Sequence, residues 1–442
     1  MFAFIAVASV LALCRADLPS LPLAAPLNFT AADGTQWQLT PSGTLDVEHP
    51  SFLVRTPSPF TDGKDVLWIT QFTGNPLKKG TISYVDDVRS IADWGSANQV
   101  HVQEFDEKFT WPNKVSLLPD GAIAGVEKAL VVPDGFLVPG KSTGSIKVLV
   151  LKSSTVDAGT VVELAPEKSG YFYHEATWLD LDGDGDLDCL TARATKPIIF
   201  GSAGGQLVWL ENPGSSFNAG DNWKLHEITD GPDILFSTKV GSDGNIYVFA
   251  PQFFTKKLGL YVVSPKTGTI VDSKIIDPNL GPGYCVNFLD VNGDGVEDLV
   301  ASNHQGDGSG GIFAYDLPQD GAYLNGSYAR HTLNSGFPVR ESGIGQAAPG
   351  IIDFQPVPGS GKGLRTSTRP LLFVAGDGSE SAYILTPSGG KGSYTYEKSL
   401  EVNGHGTVGI LNAMQRDDGA YEILIPNYDG GNIFSVTLSQ IE

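Results

Sequence analysis

The residues best equipped for chemistry stand in two nine-residue stretches, Asp180-Leu181-Asp182-Gly183-Asp184-Gly185-Asp186-Leu187-Asp188 and Asp290-Val291-Asn292-Gly293-Asp294-Gly295-Val296-Glu297-Asp298. Each places an oxygen-bearing side chain at positions 1, 3, 5 and 9 and a glycine at position 6, where the chain must turn sharply. Calcium takes six to eight hard oxygen ligands, and a tight loop with alternate residues pointing inward supplies them. Position 7 is Asp186 in one loop and Val296 in the other; it would offer a backbone carbonyl, so a valine is acceptable there. Carboxylates packed this closely repel one another unless a cation sits among them. Magnesium suits the loops less, because it prefers a smaller octahedral shell and keeps its waters. The spacing therefore predicts two structural calcium sites, Asp180, Asp182, Asp184, Asp186 and Asp188 in the first and Asp290, Asn292, Asp294, Val296 and Asp298 in the second. An EF-hand is excluded: its position 12 should be a bidentate glutamate, and here it is Thr191 or Ala301.

Short apolar strands, not amphipathic helices, flank both loops, and the surrounding pattern recurs. From Tyr284 the order is strand, acidic loop, strand, glycine-rich turn, strand, and a fourth strand near Tyr328–Leu333; from Phe172 the order is the same. Weaker copies start near Ser51, Lys114, Asp233, Gly350 and Thr407, so first strands fall near residues 52, 115, 177, 235, 287, 352 and 409. Seven units of four short strands predict an all-β fold, a seven-bladed β-propeller. The last unit reaches Glu442 with three strands, while a spare strand-like segment, Gln36–Thr40, precedes the first. An N-terminal strand completing the last blade would close the ring and hide its free edges. No boundary interrupts residues 17–442, which read as a single domain.

Composition narrows the function. Lys and Arg number 29 against 50 Asp and Glu, a formal charge of −21, which repels nucleic acid and anionic membranes and attracts cations. The 53 glycines and 28 prolines fit many tight turns. The apolar run Phe2–Leu13 is too short to span a bilayer and precedes Cys14-Arg15-Ala16, so residues 1–16 are read as a signal peptide and the mature protein as secreted, with no membrane span. Two sequons, at Asn28 and Asn325, fit an extracellular glycoprotein. Beyond Cys14 only Cys189 and Cys285 remain, too few for a disulfide scaffold and wrongly spaced for a zinc site.

A strand ending in Phe-Leu-Asp or Trp-Leu-Asp, an Asp/Asn-Gly-Asp-Gly loop, and then Asp-Leu-Val or Asp-Cys-Leu resembles an FG-GAP/VCBS repeat, the unit of the seven-bladed head of integrin α chains. The resemblance is specific in blades three and five. Elsewhere the loop is degenerate (Asp62 and Asp65; Asp243-Gly244-Asn245; Asp417-Asp418-Gly419) and no metal is carried over. The resemblance implies structural calcium between the first two strands of a blade. It also puts Cys189 and Cys285 in non-adjacent blades, beyond the roughly 7 Å reach of a disulfide, so none is expected.

In such a propeller the acidic loops share one face and ligands usually meet the other. The second face collects Glu48-His49, Tyr173-His174-Glu175, Gln252, Asn303-His304-Gln305, Arg340-Glu341, His405 and Asn427-Tyr428-Asp429, whereas His101, His226 and His331 fall on outer strands. Rings near these loops (Trp111, Tyr173, Phe253, Tyr284, Tyr428) are candidates to stack on sugars or to fill the core. The leading expectation is an extracellular recognition module for a glycan or protein. The alternative is a sugar-active lyase or isomerase using His49, His174, His304 and His405 with a transition metal or as acid and base. A weaker one is an acidic, calcium-binding matrix component. No Arg-Gly-Asp, anchor or appended domain points further, and no GxSxG, HExxH or P-loop motif supports a serine hydrolase, zincin or nucleotide site. Oligomeric state is not legible.

Overall fold

The computed structural model describes residues 18–88, 102–138, 140–152, 158–195, 202–214, 223–318, 321–340, 346–353, 369–416 and 418–441. The expected signal peptide at 1–16, His101, Glu341 and Asp417 lie outside the described residues. The chain forms seven antiparallel blades, a seven-bladed β-propeller. Innermost strands are Pro50–Pro57, Ser116–Leu117, Tyr171–Leu179, Ser237–Val240, Gly283–Leu289, Ile352–Asp353 and Asn412–Gln415, each within a few residues of its expected place.

Burial explains the strand order within a blade. Second strands such as Asp65–Gln71, Ala129–Pro133 and Ile246–Gln252 are buried along nearly their whole length. Neighbouring blades cover both of their faces, so these strands are written as continuous apolar runs instead of alternating ones. The fourth strand of blade four, Thr269–Asp277, lies at the periphery and is exposed along most of its length.

Among the described residues, seven hydrophobic clusters fill the seven gaps between blades. Val66, Trp68, Leu130 and Leu149 join blades one and two, for example, and Leu45, Leu53, Leu67, Leu424 and Ile433 join blade seven back to blade one. Seven blades with seven interfaces leave no open end.

Hydrogen bonds between strands far apart in sequence close the ring. Gln36–Asp46 pairs with the last strand, Asn432–Ile441, from Gln36 opposite Ile441 to Asp46 opposite Asn432. The expected segment, Gln36–Thr40, is the first half of this longer strand. A further strand, Leu27–Thr30, pairs outside it, so the closing blade has five strands. At the hub, Leu53 N donates to Ile410 O at 3.1 Å and Ile410 N to Ser51 O at 2.8 Å, tying the inner strands of blades one and seven.

Cys189 and Cys285 are both free and buried. Burial pushes the Cys189 thiol up, which makes it inert toward alkylation in the folded state. Peptide mapping after iodoacetamide treatment without reductant should find both cysteines alkylated in denaturant and neither in buffer. A peptide containing both, linked as a disulfide, would contradict the structure.

Candidate calcium loops and the opposite rim

Antiparallel order sorts the loops. Those joining first to second strands emerge at one end of the propeller, and those joining second to third strands, or blade to blade, emerge at the other. Both acidic nonapeptides belong to the first set: Asp180 follows Tyr171–Leu179 and Asp188 opens Asp188–Thr195, while Asp290 follows Gly283–Leu289 and Asp298 opens Asp298–Asn303.

The two loops share one hydrogen-bond scheme. Asp180 Oδ1 accepts from Gly183 N at 2.7 Å and its Oδ2 from Gly185 N at 3.2 Å. Asp290 does the same for Gly293 N at 2.7 Å and Gly295 N at 2.9 Å. The position-9 carboxylate reaches back to position 2: Asp188 Oδ2 accepts from Leu181 N at 2.9 Å and Asp298 Oδ2 from Val291 N at 3.1 Å. Leu181 and Val291 are fully buried and pin their loops to the core. Gly185 and Gly295 sit at φ 98° and 96°, where a side chain would be strained; position 6 must be glycine.

In the first loop, Asp180, Asp182 and Asp188 bring one oxygen each within 4.8 Å of one another. Burial, with Asp182 and Asp184 adding like charge, raises Asp188 to about 6. Burial raises Asp182 as well. The second loop softens the same problem with an amide at position 3 and with Tyr394. The Tyr394 hydroxyl lies 2.9 Å from Asp298 Oδ1 and 2.7 Å from Asp316 Oδ1, and it accepts from Asn292 Nδ2 at 2.8 Å. Asp298 is still raised to about 6, chiefly by burial. These oxygen donors suit a hard divalent cation, whose charge would reverse both shifts.

The degenerate loops are differently committed. Asp65 pairs with Arg55 at 3.2 Å, Asp243 accepts from Asn245 and Tyr247, and Asp418 pairs with Arg416 at 3.2 Å.

At the other end, the four histidines do not converge. Among the described residues, the one group of three or more potential metal ligands is Asp180, Asp182 and Asp188. His174 is buried between Phe136 and Phe172, its Nδ1 has no hydrogen-bond partner among the described residues, and burial lowers its pKa to about 3. His304 is buried, stacks on Tyr284 at 4.7 Å and bonds Pro349 O at 2.9 Å through Nδ1. His49 lies 3.2 Å from Tyr428 O, and the exposed His405 has its backbone N on Asn403 Oδ1. His226 and His331 lie on outer strands as expected, stacked on Trp209 and Tyr394. Most polar residues of this rim hold backbone: Asn303 bonds Leu280 O and Gly311 N, and Arg340 bonds Ser379 O.

What the rim does assemble is a run of rings. Centroid spacings are 4.8 Å from His49 to Tyr428, 5.8 Å from Tyr428 to Phe72, 4.1 Å from Phe72 to Trp111, 4.9 Å from Trp111 to Phe136 and 5.5 Å from Phe136 to His174. The run crosses blades seven, one, two and three. Phe72, Phe136, Tyr428 and His49 are partly exposed, whereas Trp111 and Tyr173 are buried and belong to the core. Across the hub, Phe253, Tyr284 and His304 form a second, shorter group.

No family model matches the chain, and no curated protein does. Among solved structures, the hydrazine synthase of Kuenenia stuttgartiensis aligns at 13% identity over 90% of this chain and 97% of that one, with a TM-score of 0.47. The BP39L lectin of Burkholderia pseudomallei aligns at 12% identity over 89% and 96%, with a TM-score of 0.48. A luciferin-regenerating enzyme aligns at 9% identity over 94% and 95%, with a TM-score of 0.37. Likeness at this level carries nothing about ligand or activity.

Two features escaped the sequence. Phe72 and Phe136 belong to the rim, but each is a lone ring in a loop and only ring closure brings them together. Tyr394, which braces the second acidic loop, is 96 residues from Asp298. Both sequon asparagines are exposed, Asn28 on the added outer strand and Asn325 in a loop.

Proposed function

We propose that the protein is a secreted, calcium-stabilised propeller of the FG-GAP/VCBS kind that recognises extracellular glycans through the rim opposite its acidic loops. The observation that carries this reading is the run of rings from His49 to Phe136 at one end of the propeller, in which His49, Tyr428, Phe72 and Phe136 are partly exposed around the buried Trp111. Ring faces stack on the C–H faces of sugars, and the carboxylates and amides of the same loops match sugar hydroxyls. Calcium in this reading stiffens two loops at the far end and does not touch the ligand. The histidines favour recognition over a lyase or isomerase: His174 is buried and kept neutral, and among the described residues the four form no common group of metal ligands.

A glycan array probed with the purified protein tests the reading. Binding to a defined set of glycans is expected, and Phe136→Ala should weaken it by about fivefold. An array with no binder, or affinities unmoved by Phe72→Ala and Phe136→Ala together, would refute it.

A further inference from the structure

The hub encloses a cavity of about 250 Å³ lined by residues from all seven blades. At about 30 Å³ of liquid per water, that is room for roughly eight waters, or for one sugar ring. Phe52, Phe236 and aliphatic side chains form much of its wall, and Lys114, Glu175, Asn287 and Asp353 give it polar groups.

Lys114 and Glu175, from adjacent blades, face each other with Nζ 2.6 Å from Oε1. Glu175 Oε2 accepts from Phe236 N at 3.3 Å, and Asp353 Oδ2 accepts from Ala413 N at 2.8 Å. Protein surrounds Lys114, yet 43% of its side chain stays open, against 14% for Glu175. Burial alone would push the ammonium down; Glu175, with Cys285 and Asp353 beyond it, holds it above its ordinary value and therefore charged. The hub thus presents one open cationic donor beside two carboxylate acceptors.

Charge decides what fits. The lining sets Lys114 and Arg55 against Glu175 and Asp353, and Arg55 is already paired with Asp65 and Glu422 at 3.2 Å each, so carboxylates outnumber cations around the hub, which opposes an anion. A metal ion would have to displace the ammonium that already sits beside Glu175. A neutral polyol needs neither: its hydroxyls donate to carboxylates and accept from ammonium, and its C–H faces meet Phe52 and Phe236. The cavity lies next to the rim in the chain: Trp111, His174 and Tyr284 precede the lining residues Lys114, Glu175 and Cys285 by three, one and one residues.

We infer that the hub cavity takes one uncharged sugar ring, the terminal residue of the recognised glycan, hydrogen-bonded between Lys114 and Glu175. This rests on the glycan-recognition reading and adds to it a terminal, neutral sugar as the determinant. Isothermal titration calorimetry with a neutral oligosaccharide scored on the array, and with its counterpart ending in a uronic acid, tests it on the full chain. The neutral glycan should bind wild type at least tenfold more tightly than the uronate. Glu175→Gln should weaken it by about tenfold or more, the cost of a lost hydrogen bond to a charged group. Asn287→Phe fills the cavity while leaving both members of the ion pair unsubstituted and should abolish binding, which keeps the test open if Glu175→Gln fails to fold. Full affinity in Asn287→Phe, with loss in Phe136→Ala, would place the glycan on the rim alone and overturn the hub site while sparing the recognition reading. Equal binding of the uronate would also overturn the hub site. No binding of any neutral glycan would overturn both.

Discussion

Chelation with EGTA should lower the Tm of the purified protein by at least about 5 °C, and added calcium should restore it. A ligand held at a hundred times its Kd stabilises by about 2.7 kcal/mol, so two such sites contribute about 5 kcal/mol. Each kcal/mol moves Tm by about 2–4 °C in a domain of about 200 residues and by less in a chain this long, which sets the lower figure. The loops also supply a reason for dependence on the ion. Asp180, Asp182 and Asp188 hold oxygens within 4.8 Å of one another, and burial already raises Asp188 to about 6. Removing the cation leaves a strained cluster in the first loop and a milder one in the second, where Tyr394 and Asn292 take up part of the charge. Asp182→Ala tests the sites separately, because Asp182 holds a single backbone N–H, that of Asp184 at 3.2 Å. Elemental analysis of the dialysed variant should find one calcium per chain instead of two, and EGTA should produce about half the wild-type shift. A dialysed wild-type protein without calcium, and a Tm indifferent to EGTA, would sink the assignment of both loops.

The acidic loops were legible because their chemistry is written in nine contiguous residues, and the hydrogen bonds that Asp180 and Asp290 accept from the third and fifth residues on follow from that spacing alone. The blades were legible for a related reason: continuous burial turns second strands into apolar runs, and the strand period does the rest. The closing strand was found, but only half of it, since Ser42-Gly43 reads as a turn while in the fold it forms a bulge opposite Val436 and Ser435. Leu27–Thr30 was missed because four residues after Pro26 carry too little pattern to separate from a linker. Its place comes from pairing with Leu39 through Gln36, which no local signal announces.

The rim and hub show where local reading stops. Mapping put four histidines at one end, but whether side chains converge depends on blade rotation and loop conformation. Lys114 and Glu175 lie 61 residues apart, close to one blade of the repeat, so aligning the repeats would have paired them. Glu175 was placed on the rim instead, because the bulge between Tyr173 and Ala176 that carries it into the hub lining, while Tyr173 and Ala176 stay in the blade interface, has no local signal. A recognition site on this propeller would thus be assembled from equivalent positions of successive repeats, whereas a metal site in its acidic loops would be local to one.

His174 gives the protein a measurable sensitivity to acid. Its imidazole is buried between Phe136 and Phe172, and burial lowers its pKa from 6.5 to about 3. The sign follows from where the proton binds. Below pH 6.5 the unfolded chain takes up a proton that the folded chain refuses until about pH 3, so this contribution to stability is complete above 6.5 and is lost as the pH falls toward 3. Between pH 7 and 4 the loss from this one group is roughly 3 kcal/mol. His174→Phe keeps a ring against the same neighbours and removes the titration. Urea denaturation of both proteins at pH 7 and pH 4 should show the variant losing about 3 kcal/mol less than wild type across that interval. Carboxylates also titrate in this window, Asp233 among them, which burial raises to about 7, but they are common to both proteins and cancel in the comparison. An equal loss in the two proteins would mean that the folded state admits the proton at His174, and that the packed rings around it open more readily than their burial implies.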